Sequence, residues 1–302
     1  MFQKILCCFD FSDPSLGALV GALRIAHQDG SRLSLAHVLD PTRLSVREAA
    51  DESEYRLRRL KEIVDDKIRE YFPATGKDFQ RNIDVISLSG QPAAELLRFI
   101  RDENPDLVVM ATHGRSGMSH ALLGSVAERV VRHSTAPVLL VRKPAAWPPK
   151  KVLVPTDFSD AEEDSAMVAS QLGHENLELI HVLGFPDLVT LPDDGQAASM
   201  IRDEKVLREE AIAGLQKLRT QHPSLREAAI QISIGPVGEE ICRRAAEGNF
   251  DLIVIPTEGK SGISRFLMGS VAEWVTRSAP CNVLTFTTAK AVPIRREALS
   301  KI

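Results

Sequence analysis

Thr112-His113-Gly114-Arg115-Ser116-Gly117 leads through Leu123 to Gly124-Ser125-Val126-Ala127-Glu128, and Thr257-Glu258-Gly259-Lys260-Ser261-Gly262 leads through Met268 to Gly269-Ser270-Val271-Ala272-Glu273. In each copy nine residues separate the leading glycine from the Gly-Ser pair. The repeat continues outward from these loops. Lys4-Ile5-Leu6-Cys7-Cys8-Phe9-Asp10-Phe11-Ser12 answers Lys151-Val152-Leu153-Val154-Pro155-Thr156-Asp157-Phe158-Ser159, and His37-Val38 answers His181-Val182. The 302 residues therefore read as two copies of one domain of about 145 residues, within the usual domain range.

Within each copy, short apolar runs alternate with segments of helical periodicity. The first copy predicts strands near Ile5–Phe9, Arg32–Val38, Ile83–Leu88, Leu107–Met110 and Val138–Val141. Its helices are expected over Pro14–His27 and Glu48–Tyr71, after Pro92, and over Ser125–His133. The second copy predicts strands near Val152–Pro155, Leu177–Val182, Ile230–Ile234, Leu252–Ile255 and Val283–Phe286. Continuously apolar strands separated by helices imply an α/β class with two similar domains, each an open five-stranded parallel sheet covered on both faces. The expected division is domain 1 over 1–143, a Pro-rich linker over 144–150, domain 2 over 151–287 and a tail over 288–302. Pro144, Pro148 and Pro149 cannot continue a helix or a central strand, so the linker should be short and stiff, with the two domains packed as an intramolecular pair.

Composition narrows the function classes. At 44% hydrophobic and 26% charged residues, each half can bury a core of ordinary globular type. A formal charge of -4 gives no general attraction to nucleic acid or to an acidic membrane, and neither partner is expected. No basic-then-apolar secretory pattern opens the sequence and no apolar run approaches the roughly 18 residues of a membrane span, so a cytoplasmic location is the expectation. The four cysteines show neither zinc-ligand spacing nor a disulfide framework and are expected to be buried thiols.

In an open parallel sheet, ligands bind beyond the carboxyl ends of the strands where the winding direction switches. Asp10 and Asp157 end the first strand of each copy and the glycine loops follow the fourth, so these elements should meet at one crevice. Gly114 and Gly259 let a backbone approach a phosphate. Gly124-Ser125 and Gly269-Ser270 open a helix, where unpaired amides and the positive end of the dipole favour an anion. Arg115 and Lys260 would add positive charge, and Asp10 and Asp157 would accept ribose hydroxyls. A structural reading stands beside this one: glycine before a helix can be turn geometry, and each Asp-Phe-Ser can simply cap the first helix. Recurrence of the same spacing with a matching aspartate favours the anion site. Neither loop fits G-x-x-x-x-G-K-[ST] or G-x-G-x-x-G.

At these residues the chain resembles the universal stress protein family in its tandem two-domain form. The signature is G-x-x-G, nine residues, then G-[ST], with a first strand ending in V-P-x-D-x-S; residues 154–159 and both glycine loops carry it. The resemblance implies an adenine nucleotide alpha hydrolase-like fold, ATP binding in one subgroup and pairing of domains, with Mg beside the nucleotide and a homodimer as further options. Carried onto this sequence, it implies that Asp10 lies near the ribose, Val38 near the adenine, and Met110, Ala111, Gly114, Gly124, Ser125 and Val126 along the ribose and phosphate path. The matching second set is Asp157, Val182, Ile255, Pro256, Gly259, Gly269, Ser270 and Val271. Ala111 and Pro256 replace the first signature glycine, and proline removes an amide donor. Glu258 replaces His113 and sets a negative charge beside the phosphates, so the N-terminal copy is expected to be the better ATP binder. No committed catalytic constellation is legible, and slow ATP hydrolysis is the most the sequence supports. The implied role is a nucleotide-dependent regulatory, stress-response protein. The alternative is a scaffold acting through the charged segments Glu48–Tyr71 and Arg202–His222.

Overall fold

The computed structural model describes residues 2–43, 46–74, 76–114, 123–143, 147–184, 189–190, 200–201, 203–257 and 268–287. The chain divides into two compact units, one of residues 1–147 with 284–302 and one of residues 148–283.

The first unit runs β1 (Lys4–Cys8), α1 (Asp13–Asp29), β2 (Arg32–Leu39), α2 (Val46–Tyr71), α3 (Gly76–Gln80), β3 (Ile83–Ser89), α4 (Pro92–Glu103), β4 (Leu107–Ala111), α5 (Ser125–His133) and β5 (Val138–Val141). Its strands lie in the order β5-β4-β1-β2-β3, and every neighbouring pair is parallel. Leu6 pairs with Ser34 on one side and Val108 on the other, which places β1 at the centre. Leu6, Cys7, Leu33, Leu35, Leu107, Val108 and Val109 are fully buried, as strands covered on both faces require. α1 packs on β1 and β4, while α4 and α5 pack on each other, the two-faced arrangement that right-handed crossovers impose.

The second unit repeats this with β6 (Lys151–Pro155), α6 (Asp160–Ser170), β7 (Asn176–Leu183), a two-stranded antiparallel ribbon of β8 (Val189–Thr190) and β9 (Met200–Ile201), α7 (Glu204–Gln221), β10 (Ala229–Ile234), α8 (Val237–Glu247), β11 (Leu252–Pro256) and α9 (Ser270–Ser278), while β12 (Asn282–Phe286) spans the division between residues 283 and 284. Here β6 is central, with β7 then β10 on one side and β11 on the other, all parallel.

Each unit pins the start of its central strand with one carboxylate. Asp106 Oδ2 accepts from the amides of Gln3 (2.7 Å) and Lys4 (2.9 Å), and Asp251 Oδ2 accepts from those of Lys150 (3.0 Å) and Lys151 (2.9 Å). The charged segment over residues 48–71 folds as α2, whose face carries the ion pairs Arg58–Glu54, Arg59–Glu62 and Arg69–Asp66 between exposed side chains. Such pairs are worth little individually and mark a solvated face.

A fork-to-fork pair fastens α8 to the sheet of the second unit. Arg244 Nε and Nη2 each donate to a Glu178 carboxylate oxygen at 2.6 Å, and the guanidinium lies 5.6 Å from the Phe250 ring centre. The Glu178 side chain is only 10% exposed, so removing its partner strands a charge out of water. Arg244→Met is expected to lower unfolding free energy in urea by about 2–3 kcal/mol, less than a fully buried pair because the arginine keeps some solvent. Adding Glu178→Gln should recover most of that loss.

Candidate functional site

The winding of the first unit reverses between β1 and β4, and the carboxyl ends of these two strands open a crevice there. β1 ends at Cys8, one residue before the sequence expectation, because the chain turns at once into the Asp10-Phe11-Ser12 loop. Asp10 Oδ1 accepts from the Ser12 amide (3.0 Å) and hydroxyl (2.5 Å). Ser12 Oγ in turn accepts from the amide of Ser15 and caps α1 (3.3 Å). Phe11 sits at φ 64°, a left-handed conformation that a bulky side chain adopts only when its surroundings hold it there.

The other carboxylate oxygen, Asp10 Oδ2, faces the glycine loop. A Cβ built on Gly114 would collide with it, so any larger residue there would have to displace the carboxylate. Ten residues on in sequence, the Gly124 amide donates to Thr112 O at 2.7 Å and returns the chain to the start of α5. Among the described residues no side chain caps that helix, and Ser125 and Val126 of its first turn line the crevice.

These elements enclose a cavity of about 260 Å³, near the lower end of the roughly 300–1,000 Å³ typical of small-molecule sites. Asp10, Val38, Met110, Ala111, Gly114, Gly124, Ser125 and Val126 all line it. The structure thus brings together eight residues singled out from the sequence. It also adds His37 from β2 and Pro92 and Leu96 from the start of α4. A proline opening the helix before the glycine-loop strand was the available signal for the α4 wall. His113 lines the cavity with Nδ1 engaged by Thr112 Oγ1 at 2.9 Å.

The second unit repeats the turn and part of the loop. Asp157 Oδ1 accepts from the Ser159 amide (2.9 Å), Phe158 sits at φ 63°, and the Gly269 amide donates to Thr257 O at 2.8 Å. Val182, Ile255 and Pro256 are buried at the ends of β7 and β11, while Gly269, Ser270 and Val271 open α9. Two differences stand out. Among the described residues Ser159 Oγ is buried with no hydrogen-bond partner, where Ser12 Oγ has two, and Pro256 lacks the amide that Ala111 carries. Arg115, Glu258, Gly259 and Lys260 lie outside the described residues, as does the tail over 288–302.

The family model for universal stress proteins matches residues 1–142 and again 148–286. The chain belongs to the universal stress protein family. It carries two such domains in tandem. A universal stress protein of Methanocaldococcus jannaschii is 33% identical over 144 residues, covering 48% of this chain and 84% of that relative. A universal stress protein structure from Archaeoglobus fulgidus covers 94% of this chain and 98% of its own, with a TM-score of 0.62 at 21% identity, a likeness of fold. A further family structure, solved in complex with cAMP, covers 47% of this chain and 98% of its own at 25% identity and a TM-score of 0.34.

Cys8 forms part of the cavity wall, yet burial pushes its thiol up to about 12, and burial together with the neighbouring Cys8 raises Cys7 well above the usual thiol range. Both thiols therefore stay protonated at neutral and mildly alkaline pH and are poor nucleophiles. Of the four cysteines, Cys242 alone is not buried. At pH 8 a thiol reagent should label Cys242 rapidly in the native protein and the other three only after unfolding; fast labelling of Cys8, located by peptide mapping, would contradict this burial.

Proposed function

We propose that the protein binds ATP, with magnesium, in the crevice of its first unit and acts as a nucleotide-dependent regulator in a stress response. The observation that carries this reading is a single cavity in which the Asp10 carboxylate, the close-approach Gly114 and the first turn of α5 converge. In this reading Asp10 accepts the ribose hydroxyls, Val38 bounds the base, and Met110 begins the ribose and phosphate path. Ala111, Gly114, Gly124, Ser125 and Val126 then follow the sugar and phosphates, with Arg115 adding charge. Helix-start amides are suited to phosphate because unpaired N–H groups and the dipole act in the same direction.

The second unit would use Asp157, Val182, Ile255, Gly259, Lys260, Gly269, Ser270 and Val271 in the same way. Its missing amide at Pro256 and the acidic Glu258 make it the weaker binder in this proposal. Turnover is expected to be slow at most, with His113 serving as a wall of the site, since its Nδ1 is held by Thr112.

Calorimetric titration with magnesium and ATP tests the reading through the number of sites and the effect of the two aspartates. Asp10→Ala should weaken binding at the stronger site by about tenfold to a hundredfold, the value of losing hydrogen bonds to a charged group. Asp157→Ala should leave that site unchanged. A wild-type protein giving no heat at several temperatures and no retention in equilibrium dialysis would overturn the proposal; two equal sites would overturn the ranking of the two units.

A further inference from the structure

We infer that His37, and His181 in the second unit, are positioning residues that hold each Asp-Phe-Ser turn, and with it the aspartate carboxylate, in the geometry the crevice requires. The bond directions fix the roles of the ring nitrogens. His37 Nδ1 lies 2.8 Å from Phe9 O, and a carbonyl can only accept, so Nδ1 carries the proton. Nε2 therefore presents a lone pair, and it meets Arg56 Nη1, a donor, at 2.8 Å. The ring is a neutral imidazole with its proton on Nδ1, specified from both sides.

The same ring supports the strained residue. Phe11 packs edge-on against His37 with centroids 4.8 Å apart and against Phe9 at 5.2 Å, while the Arg56 guanidinium lies 5.8 Å from the Phe11 ring centre. Arg56 is itself held by Glu52 at 2.5 Å. His37 thus fixes the carbonyl immediately before Asp10 and the side chain immediately after it. Asp10 is left with one oxygen on Ser12 and the other against Gly114. A shift of the turn would move the carboxylate away from the loop.

The second unit supplies an independent repetition. His181 Nδ1 lies 2.7 Å from Thr156 O, again the residue before the aspartate, and the His181 ring stacks on Phe158 at 4.5 Å. Phe158 has nearly the same left-handed φ as Phe11, 63° against 64°. One turn, one strained aromatic and one histidine-to-carbonyl bond recur together in two sequences that have otherwise diverged, including Phe9 against Thr156 and Cys8 against Pro155.

The affinity arm of the test rests on the proposed ATP site, and two further arms do not. In nitrogen-15 NMR of the ligand-free protein, His37 and His181 should show the Nδ1–H tautomer, and hydrogen exchange should show a protected Ser12 amide. His37→Asn keeps a donor at the reach of Nδ1, whereas His37→Leu removes it. The leucine variant should lose about tenfold in Ser12 amide protection and in ATP affinity, while the asparagine variant stays within about threefold of wild type in both. Arg56→Met, which leaves the histidine and its Nδ1–H bond to Phe9 O in place, should keep the Nδ1–H tautomer and the Ser12 amide protection, and keeps the inference testable if His37→Leu fails to fold. An Nε2–H tautomer in the wild type, or equal behaviour of the asparagine and leucine variants, would overturn the inference. Intact tautomer and exchange results without any ATP binding would instead overturn the proposed function alone.

Discussion

The sheet of each unit winds one way from its central strand and then the other, and the chemistry of the molecule hangs on that reversal. β1 hands the chain to α1 on one side and receives β4 beside it on the other, so the two strand ends cannot be roofed by a single helix. Backbone polar groups left uncovered at such a point need partners. The chain meets part of that need by bringing the Asp10 carboxylate onto the Ser12 amide and the Gly124 amide onto Thr112 O. Among the described residues no side chain caps the first turn of α5, the kind of helix start whose free amides suit an anion.

The two units separate what the fold demands from what a ligand demands. Both retain the left-handed phenylalanine, the aspartate bonded to the following serine amide, and the glycine amide that closes on a threonine carbonyl. These are backbone solutions to one geometric problem. The second unit departs at Pro256, which lacks an amide, and at the Ser159 hydroxyl, which finds no hydrogen-bond partner among the described residues. Near its α9, the Trp274 ring lies against Gly238, where a Cβ would meet the ring at 2.5 Å, and the indole remains 46% exposed.

Much of the architecture was legible in the sequence because buried parallel strands write themselves as unbroken apolar runs. Ser125–His133 and Val138–Val141 appear as expected, and most other strands differ only at their ends. The glycine loops could be recognised because the same nine-residue spacing recurs in both copies. Other features were not legible. The β8–β9 ribbon is two residues per strand and has no periodicity to detect. The positive φ of Phe11 and Phe158 contradicts residue preference and is imposed by tertiary contacts. His37 stood out in sequence only as a landmark of the repeat, since a histidine inside an apolar strand does not announce which carbonyl it will bind. Pro92 and Leu96 reach the cavity through the packing of α4, which depends on the whole sheet.

The Glu178–Arg244 pair bears on what a hybrid of the two copies would lose. Glu178 occupies on β7 the register position that Ser34 holds on β2, each paired with a leucine of the central strand. Arg244 on α8 stands where α4 has Phe99, counted from the glycine that precedes each helix. A crossover between the two halves of the gene that joined the β7 coding stretch to that of α4 would leave a carboxylate facing a phenylalanine. The reciprocal product would set a guanidinium against a serine. The first hybrid carries a carboxylate only 10% exposed without its counterion, and the second leaves a partly exposed guanidinium unpaired. The partners at this position therefore distinguish the two copies, and a hybrid of them is expected to fold less stably.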